Sequence, residues 1–155
     1  GYTDIALGLA LLLGYKIEEN FFWPYFSANV SQFWKRWHMS LTGWIRNYIF
    51  IPLGGSRVSQ PRIALNTVVT MLAIGLWHGH QLHFLAWGLY HAAGLLVYRW
   101  YSLARNRMAP ERKPTMIGKT IAVIVTFHFV AVGWVFFAND LQSAFIIVKK
   151  LFTIG

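Results

Sequence analysis

The sequence contains no cysteine among its 155 residues. Disulfide frameworks, thiolate nucleophiles and zinc sites built on cysteine are therefore excluded, and any nucleophile has to be oxygen or nitrogen. Charge is also scarce, because only 12% of the residues are charged, against roughly 25% in an ordinary soluble domain. Hydrophobic residues make up 56% of the chain. This composition favours a protein whose solvent is lipid.

Acidic residues are the scarcest charged class, with five against 14 lysines and arginines, for a formal net charge of +9. No Asp or Glu occurs between Glu19 and Glu111, so no carboxylate near in sequence can orient a histidine there. In a soluble chain this charge would suggest nucleic acid. Here the cations lie mainly between apolar runs, as in the cytoplasmic loops of membrane proteins. We therefore expect membrane lipid, and no nucleic acid, as a partner.

Apolar runs cover residues 5–15, 63–77, 84–98 and 117–137. Only the last is long enough, at about 20 residues, to cross a bilayer by itself. The two middle runs are separated by a polar segment, residues 78–83. Cations in basic loops flank their far sides, namely Arg57 and Arg62 before them and Arg99, Arg105, Arg107, Arg112 and Lys113 after them. The positive-inside rule then favours a hairpin with both outer ends in the cytoplasm, and the alternative is one broken helix with ends on opposite sides. We predict an all-α, multi-pass transmembrane bundle, of which residues 1–155 are a fragment.

Residues 31–51 have a helical hydrophobic period. Phe33, Trp34 and Trp37 fall on one side, and Lys35 and Arg36 fall largely on the other. This pattern predicts one amphipathic helix that lies in the membrane interface or enters it from one side.

Two histidines stand out as candidate functional residues. His78 ends an apolar run between Trp77 and Gly79, where an ionisable group costs about 2.5 kcal/mol or more unless a cavity or a partner receives it. His38 follows the Lys35-Arg36 pair on the amphipathic segment. The competing interpretations are a histidine bonded to a neighbouring helix for His78, and an interfacial residue for His38.

The remaining histidines suggest less. His78, His80 and His83 together resemble a zinc ligand set, but no nearby carboxylate completes it, so we expect no metal. His91 and His128 lie inside apolar runs, and we expect them to be polar residues of the bundle interior. Only distant folding could bring a carboxylate, Asp4 or Asp140, to a histidine.

Several motifs occur in a defined order along the chain. They are Gly1-Tyr2-Thr3-Asp4-Ile5-Ala6, Phe33-Trp34-Lys35-Arg36-Trp37-His38-Met39-Ser40-Leu41, Arg46-Asn47-Tyr48 with Ile51-Pro52-Leu53-Gly54-Gly55-Ser56-Arg57, Gly75-Leu76-Trp77-His78-Gly79, and more loosely Gly133-Trp134-Val135-Phe136-Phe137. This order resembles the membrane-bound O-acyltransferase family. The compact Ile51-to-Arg57 stretch is most similar to the alginate O-acetyltransferase branch, and the branch that transfers D-alanine to teichoic acid is the nearest relative. His80 and Leu82 depart from the usual pattern, which puts the donor and acceptor in question more than the reaction class.

The resemblance implies that the chain is the C-terminal part of one acyltransferase domain in the inner membrane, with His78 and His38 as catalytic residues. It implies transfer of an acyl group, expected to be acetyl, to a hydroxyl of a cell-surface polysaccharide or of an accessory carrier protein. The donor would be acetyl-CoA or an acylated phosphopantetheine carrier, with no tightly bound cofactor. An accessory acyltransferase or carrier protein is expected as a partner, and the polysaccharide acceptor would be met directly or through it.

Chemically, a neutral imidazole at His78 suits a general base, and His38 or a backbone N–H freed at Gly79 could stabilise an oxyanion. Five cations would suit a phosphate-bearing donor or, equally, lipid headgroups: Lys35, Arg36, Arg46, Arg57 and Arg62. One alternative is D-alanyl transfer to teichoic acid from a carrier protein. The other is a non-catalytic channel or transporter subunit, which the lack of Asp and Glu in the apolar runs after Asp4 disfavours.

Overall fold

A computed structural model describes residues 1–108 and 114–153, and every regular element in those ranges is helical. The α-helices are α1 (Tyr2–Leu12), α2 (Val30–Trp34), α3 (Met39–Ile45), α4 (Gln60–His78), α5 (Leu82–Met108), α6 (Met116–Ala138) and α7 (Leu141–Phe152). A 3₁₀ turn (Pro24–Phe26) precedes α2, and a π-helical turn (Arg46–Phe50) follows α3. The predicted all-α class is confirmed.

Helices α4 and α5 form an antiparallel hairpin whose backbones touch. A Cβ added to Gly75 would lie 2.5 Å from the carbonyl oxygen of Phe84, and one added to Gly88 would lie 2.6 Å from that of Met71. At the open end, Arg99 Nε donates to Gln60 Oε1 at 3.1 Å. Residues further towards the N-terminus of α4 therefore pair with residues further towards the C-terminus of α5, which makes the two helices antiparallel. The predicted hairpin forms, and the single broken helix does not.

Helix α6 packs against the other side of α5. The Tyr90 hydroxyl donates to the carbonyl oxygen of Phe129 at 2.8 Å, and the ring of Phe129 fills the space beside Gly94. Within the described residues, α6 is the one helix long and apolar enough to cross a membrane, with a mean hydropathy of 2.3 in its most apolar window. This finding agrees with the run predicted at residues 117–137.

The single amphipathic helix predicted for residues 31–51 is wrong. The segment breaks between α2 and α3 because His38 adopts the left-handed conformation, with φ 43° and ψ 58°, which no continuous right-handed helix can contain. The first part of its apolar face is also buried within the protein. Phe33 and Trp34, at 1% and 6% exposure, belong to the core that α2 forms with α5.

Candidate active site

His78 is the last residue of α4, at the tip of the hairpin. The turn to α5 begins at Gly79, where a Cβ would lie 2.4 Å from Gln81 Oε1 and 2.8 Å from the Phe84 ring, so a larger residue would force both side chains to shift. Four aromatic rings surround the half-buried imidazole, with centroids 4.8 to 5.9 Å away: Trp77, Phe84, Trp87 and Phe137. Phe137 comes from the end of α6, so three helices build this pocket.

His38 reaches the same pocket from the break between α2 and α3. Its ring lies 5.8 Å from that of Trp77 on one side and 5.9 Å from that of Phe21 on the other. Its Nδ1 is buried and has no hydrogen-bond partner among the described residues. A buried polar atom without a partner is costly in a folded protein, so a group that substrate or the rest of the protein provides is expected there.

The two predicted histidines therefore converge, although 40 positions separate them in the sequence. Trp77 contacts both rings, and the imidazoles are close enough to interact electrostatically. In these aromatic surroundings a neutral imidazole can take a proton from a hydroxyl, and a second imidazole can donate to a developing negative charge. Their catalytic roles stay predictions, and the structure places both imidazoles in one aromatic site.

The other histidines lie outside this pair. His80 is exposed, and His83 packs on Phe84 with a centroid distance of 4.2 Å. The described part of the chain brings no three metal-ligating side chains together, and whether the protein binds zinc stays a prediction. His128 is not an interior residue as expected, because it lies on an exposed face of α6 and its Nδ1 bonds to the carbonyl oxygen of Ile124 at 2.8 Å.

His91 lies in the bundle interior, as predicted, with 1% exposure. Neither of its ring nitrogens has a hydrogen-bond partner among the described residues. A Cβ at Gly133 would lie 2.8 Å from its Nε2, so this glycine allows α6 to approach α5 closely. Trp87 contacts both His91 and His78, with centroid distances of 5.0 and 5.4 Å, and so joins the interior to the candidate site.

The two carboxylates considered for the site have other surroundings. Asp4 lies exposed in the first turn of α1. Asp140 caps α7 by accepting a hydrogen bond from the Ser143 N–H at 3.0 Å, and its hydrogen bonds to Ser143 hold the pKa of the carboxyl below its usual value. Within the described ranges, neither carboxylate pairs with a histidine.

A cavity of about 410 Å³ opens between α2, α3, α4 and α5. Two of the five predicted cations, Lys35 and Arg46, line it, and Arg99 joins them from α5. Seven hydroxyl side chains also line it: Ser31, Thr42, Ser56, Thr67, Thr70, Tyr98 and Ser102. Sequence reasoning assigned Arg99 only to a flanking basic loop. The antiparallel register of the hairpin, which opposes Arg99 to Gln60, is the signal that could have found it.

The other predicted cations do not line the cavity. Arg36 lies over the ring of Phe22, and Arg57 and Arg62 are exposed. Asn66, which sequence reasoning also missed, is buried on α4, and its Nδ2 donates to the carbonyl oxygens of Leu53 and Gly55. These bonds attach the loop after the π-helical turn to the hairpin, and so shape one wall of the cavity.

Comparisons with known proteins assign the chain to a family. The family model described as "MBOAT, membrane-bound O-acyltransferase family" matches residues 1–137. A probable alginate O-acetylase of Pseudomonas aeruginosa is 38% identical over 100% of the chain, and a peptidoglycan O-acetyltransferase of Helicobacter pylori is 38% identical over 97%. A teichoic acid D-alanyltransferase of Bacillus subtilis is 33% identical over 90%. The chain spans 28% of the length of the first two and 37% of the third.

Proposed function

The chain belongs to the membrane-bound O-acyltransferase family, and on that premise we propose that its protein transfers an acetyl group from a thioester donor to a hydroxyl. The observation that carries the proposal is the convergence of His38 and His78 on Trp77, whose ring contacts both imidazoles. An interior built only for packing has no need to bring two ionisable side chains together among aromatic rings, since each costs free energy there.

In the proposed reaction His78 acts as the general base. Its neutral imidazole takes the proton of the acceptor hydroxyl while that oxygen attacks the thioester carbonyl carbon. The tetrahedral oxyanion is stabilised by the His38 imidazole, because the Gly79 N–H expected to be free already donates to the carbonyl oxygen of Leu76 at 3.2 Å. The carbon–sulfur bond then breaks, and His78 returns its proton to the thiolate, so the products are an ester and a free thiol.

The cavity between α2 and α5 supports a donor that carries phosphate. Lys35, Arg46 and Arg99 line it with several hydroxyls, a set that binds phosphate oxygens through charge-assisted hydrogen bonds. Trp34, which lines the same cavity, touches Trp87, whose other contacts include His78. We propose that a coenzyme A or a phosphopantetheine arm held there by its phosphates extends its thiol end towards the histidines.

The acceptor and location follow the relatives. Two of them are named for alginate and for peptidoglycan acetylation, so we propose a cell-surface polysaccharide as the acceptor, reached directly or through an accessory acyltransferase or carrier protein. D-alanyl transfer to teichoic acid is the second candidate, supported by 33% identity to such an enzyme. We propose a multi-pass protein of the inner membrane, in which α6 crosses the bilayer and the α4–α5 hairpin is embedded beside it.

The decisive test is His78→Ala in the full-length protein, assayed in membranes with acetyl donor and polysaccharide. A general base contributes typically 10² to 10⁴ in rate, so we expect a loss of at least about a hundredfold at near-normal abundance. His78→Gln, which keeps size and polarity, should lose as much. A rate above about a tenth of wild type would contradict the role of His78.

His80→Ala and His83→Ala are the matched controls, since both residues lie within five positions of His78 and outside its pocket. They should keep activity within a few-fold of wild type. Loss of activity in both, together with stoichiometric zinc in the purified protein, would replace the base mechanism with a metal site.

A further inference from the structure

The N-terminus of α3 is capped by a residue far upstream. A helix leaves its first N–H groups without partners inside the helix, and a neighbouring Ser, Thr, Asp or Asn side chain usually accepts from one of them. His38, which occupies the cap position, makes no such bond. Instead Asn20 accepts from Met39 N through its backbone oxygen at 2.9 Å and from Ser40 N through Oδ1 at 3.0 Å. The Ser40 hydroxyl donates to the same Oδ1 at 2.6 Å.

The residues after Asn20 continue this contact along the break. Phe22 N donates to the carbonyl oxygen of Arg36 at 3.0 Å. The Phe21 ring packs against Trp37 and His38, with centroid distances of 4.8 and 5.9 Å. Residues 20–22 thus contact the chain on both sides of His38, and we call them the strap.

The backbone of His38 needs such support. Left-handed conformations are uncommon for residues other than glycine, and they persist only where the surrounding structure imposes them. Without the strap, the segment between α2 and α3 would be free to return to right-handed values, which would rotate the imidazole away from Trp77.

We propose that Asn20 is a positioning residue, which fixes the left-handed turn at His38 and thereby directs the imidazole into the pocket that contains His78. The proposal deepens the function above and rests on the role of His38 there. Asn20 itself touches neither imidazole in this account, since its effect passes through Met39 and Ser40.

The first experiment measures kcat and KM for Asn20→Ala and Asn20→Asp, per molecule of inserted full-length protein. The alanine removes the acceptor of both Ser40 bonds, and because a misplacement of 1 Å can cost about 10²-fold, kcat should fall at least about tenfold with little change in KM. The aspartate keeps the acceptor and should stay within about twofold of wild type. Exposed Glu19→Ala is the control from the same segment. Equal losses in the alanine and the aspartate variants would overturn the proposal.

The second experiment needs no activity. Diethyl pyrocarbonate labels accessible imidazoles, and mass spectrometry should show several-fold faster labelling of His38 in Asn20→Ala but not in Asn20→Asp. Ser40→Ala loses only the hydrogen bond from the hydroxyl and should accelerate the labelling of His38 less. It replaces Asn20→Ala in this experiment if that variant inserts poorly into the membrane. Unchanged labelling in both the Asn20→Ala and the Ser40→Ala proteins would overturn the proposal.

The third measurement separates this proposal from the function it rests on. In a His38→Gly background, Asn20→Ala should cost no further activity, because its effect passes through the missing imidazole. If Asn20→Ala lowers activity in the His38→Gly background by the same factor as in wild type, Asn20 does not act through His38 and the proposal is wrong. If His38→Gly alone is fully active, the catalytic role of His38 is wrong, and the labelling alone decides whether the strap fixes the turn.

Discussion

The two histidines of the candidate site come from regions built in opposite ways. His78 lies at the tip of a hairpin of two regular helices, 19 and 27 residues long, which touch along their backbones. His38 lies in a segment of five- and seven-residue helices with a left-handed residue between them. The hairpin positions its histidine by packing that is distributed over many contacts, whereas the broken segment depends on a few hydrogen bonds from the strap. The two regions should therefore respond differently to the same kind of substitution.

The largest effect should come from a methyl group in the hairpin. In Gly88→Ala the new Cβ would lie 2.6 Å from the carbonyl oxygen of Met71, and because backbone cannot rotate away, the helices have to separate. We expect destabilisation of about 1 to 3 kcal/mol and, through displacement of His78, an activity loss of about tenfold or more. Thermal unfolding in detergent and the transfer assay measure the two effects.

Gly43→Ala is the matched control in the other region. Nothing lies within 4 Å of a Cβ built there, and the residue is inside α3, where alanine is favoured over glycine by roughly 0.5 to 1 kcal/mol. This variant should be as stable as wild type or more so. If the two alanine variants unfold at the same temperature, the close contact of α4 and α5 is not a feature of the intact protein.

A smaller effect should separate two substitutions of His38. Glycine adopts the left-handed conformation freely, whereas alanine there costs roughly 1 to 2 kcal/mol, so His38→Gly should be more stable than His38→Ala. Both lose the imidazole and should lose activity to a similar degree. The same pair at His83, in the first turn of α5, should show the reverse order of stability. A more stable alanine at position 38 would mean that the turn is right-handed in the protein.

The same contrast explains what the sequence could predict. The helices of the hairpin and α6 were found because apolar runs, flanking charges and glycines are local signals, and Gly75 and Gly79 lie within the motif that marked His78. The break at His38 was missed because the helical period of residues 31–51 continues through it. What stops the helix is a set of bonds from Asn20, 20 positions before Ser40, and no periodicity records such a contact. Arg99 was found only as a loop cation for the same reason, since its place at the cavity depends on the register of two helices.

The smallest effect on activity is expected from substitutions outside the site, which test how the hairpin lies in the membrane. Because α4 and α5 are antiparallel, the regions before α4 and at the end of α5 lie at the same end of the hairpin, and the positive-inside rule places that end in the cytoplasm. Arg57→Cys and Arg105→Cys, made singly, add a thiol to a sequence that has none in this region. Both should react with an impermeant maleimide only after the inner membrane is opened, with little change in activity. Arg112 and Lys113, which also contributed to the charge bias, lie outside the described residues. Labelling of one position in intact spheroplasts and not the other would mean that the hairpin does not form in the membrane. A different arrangement of α4 and α5 would then have to place His78 beside His38.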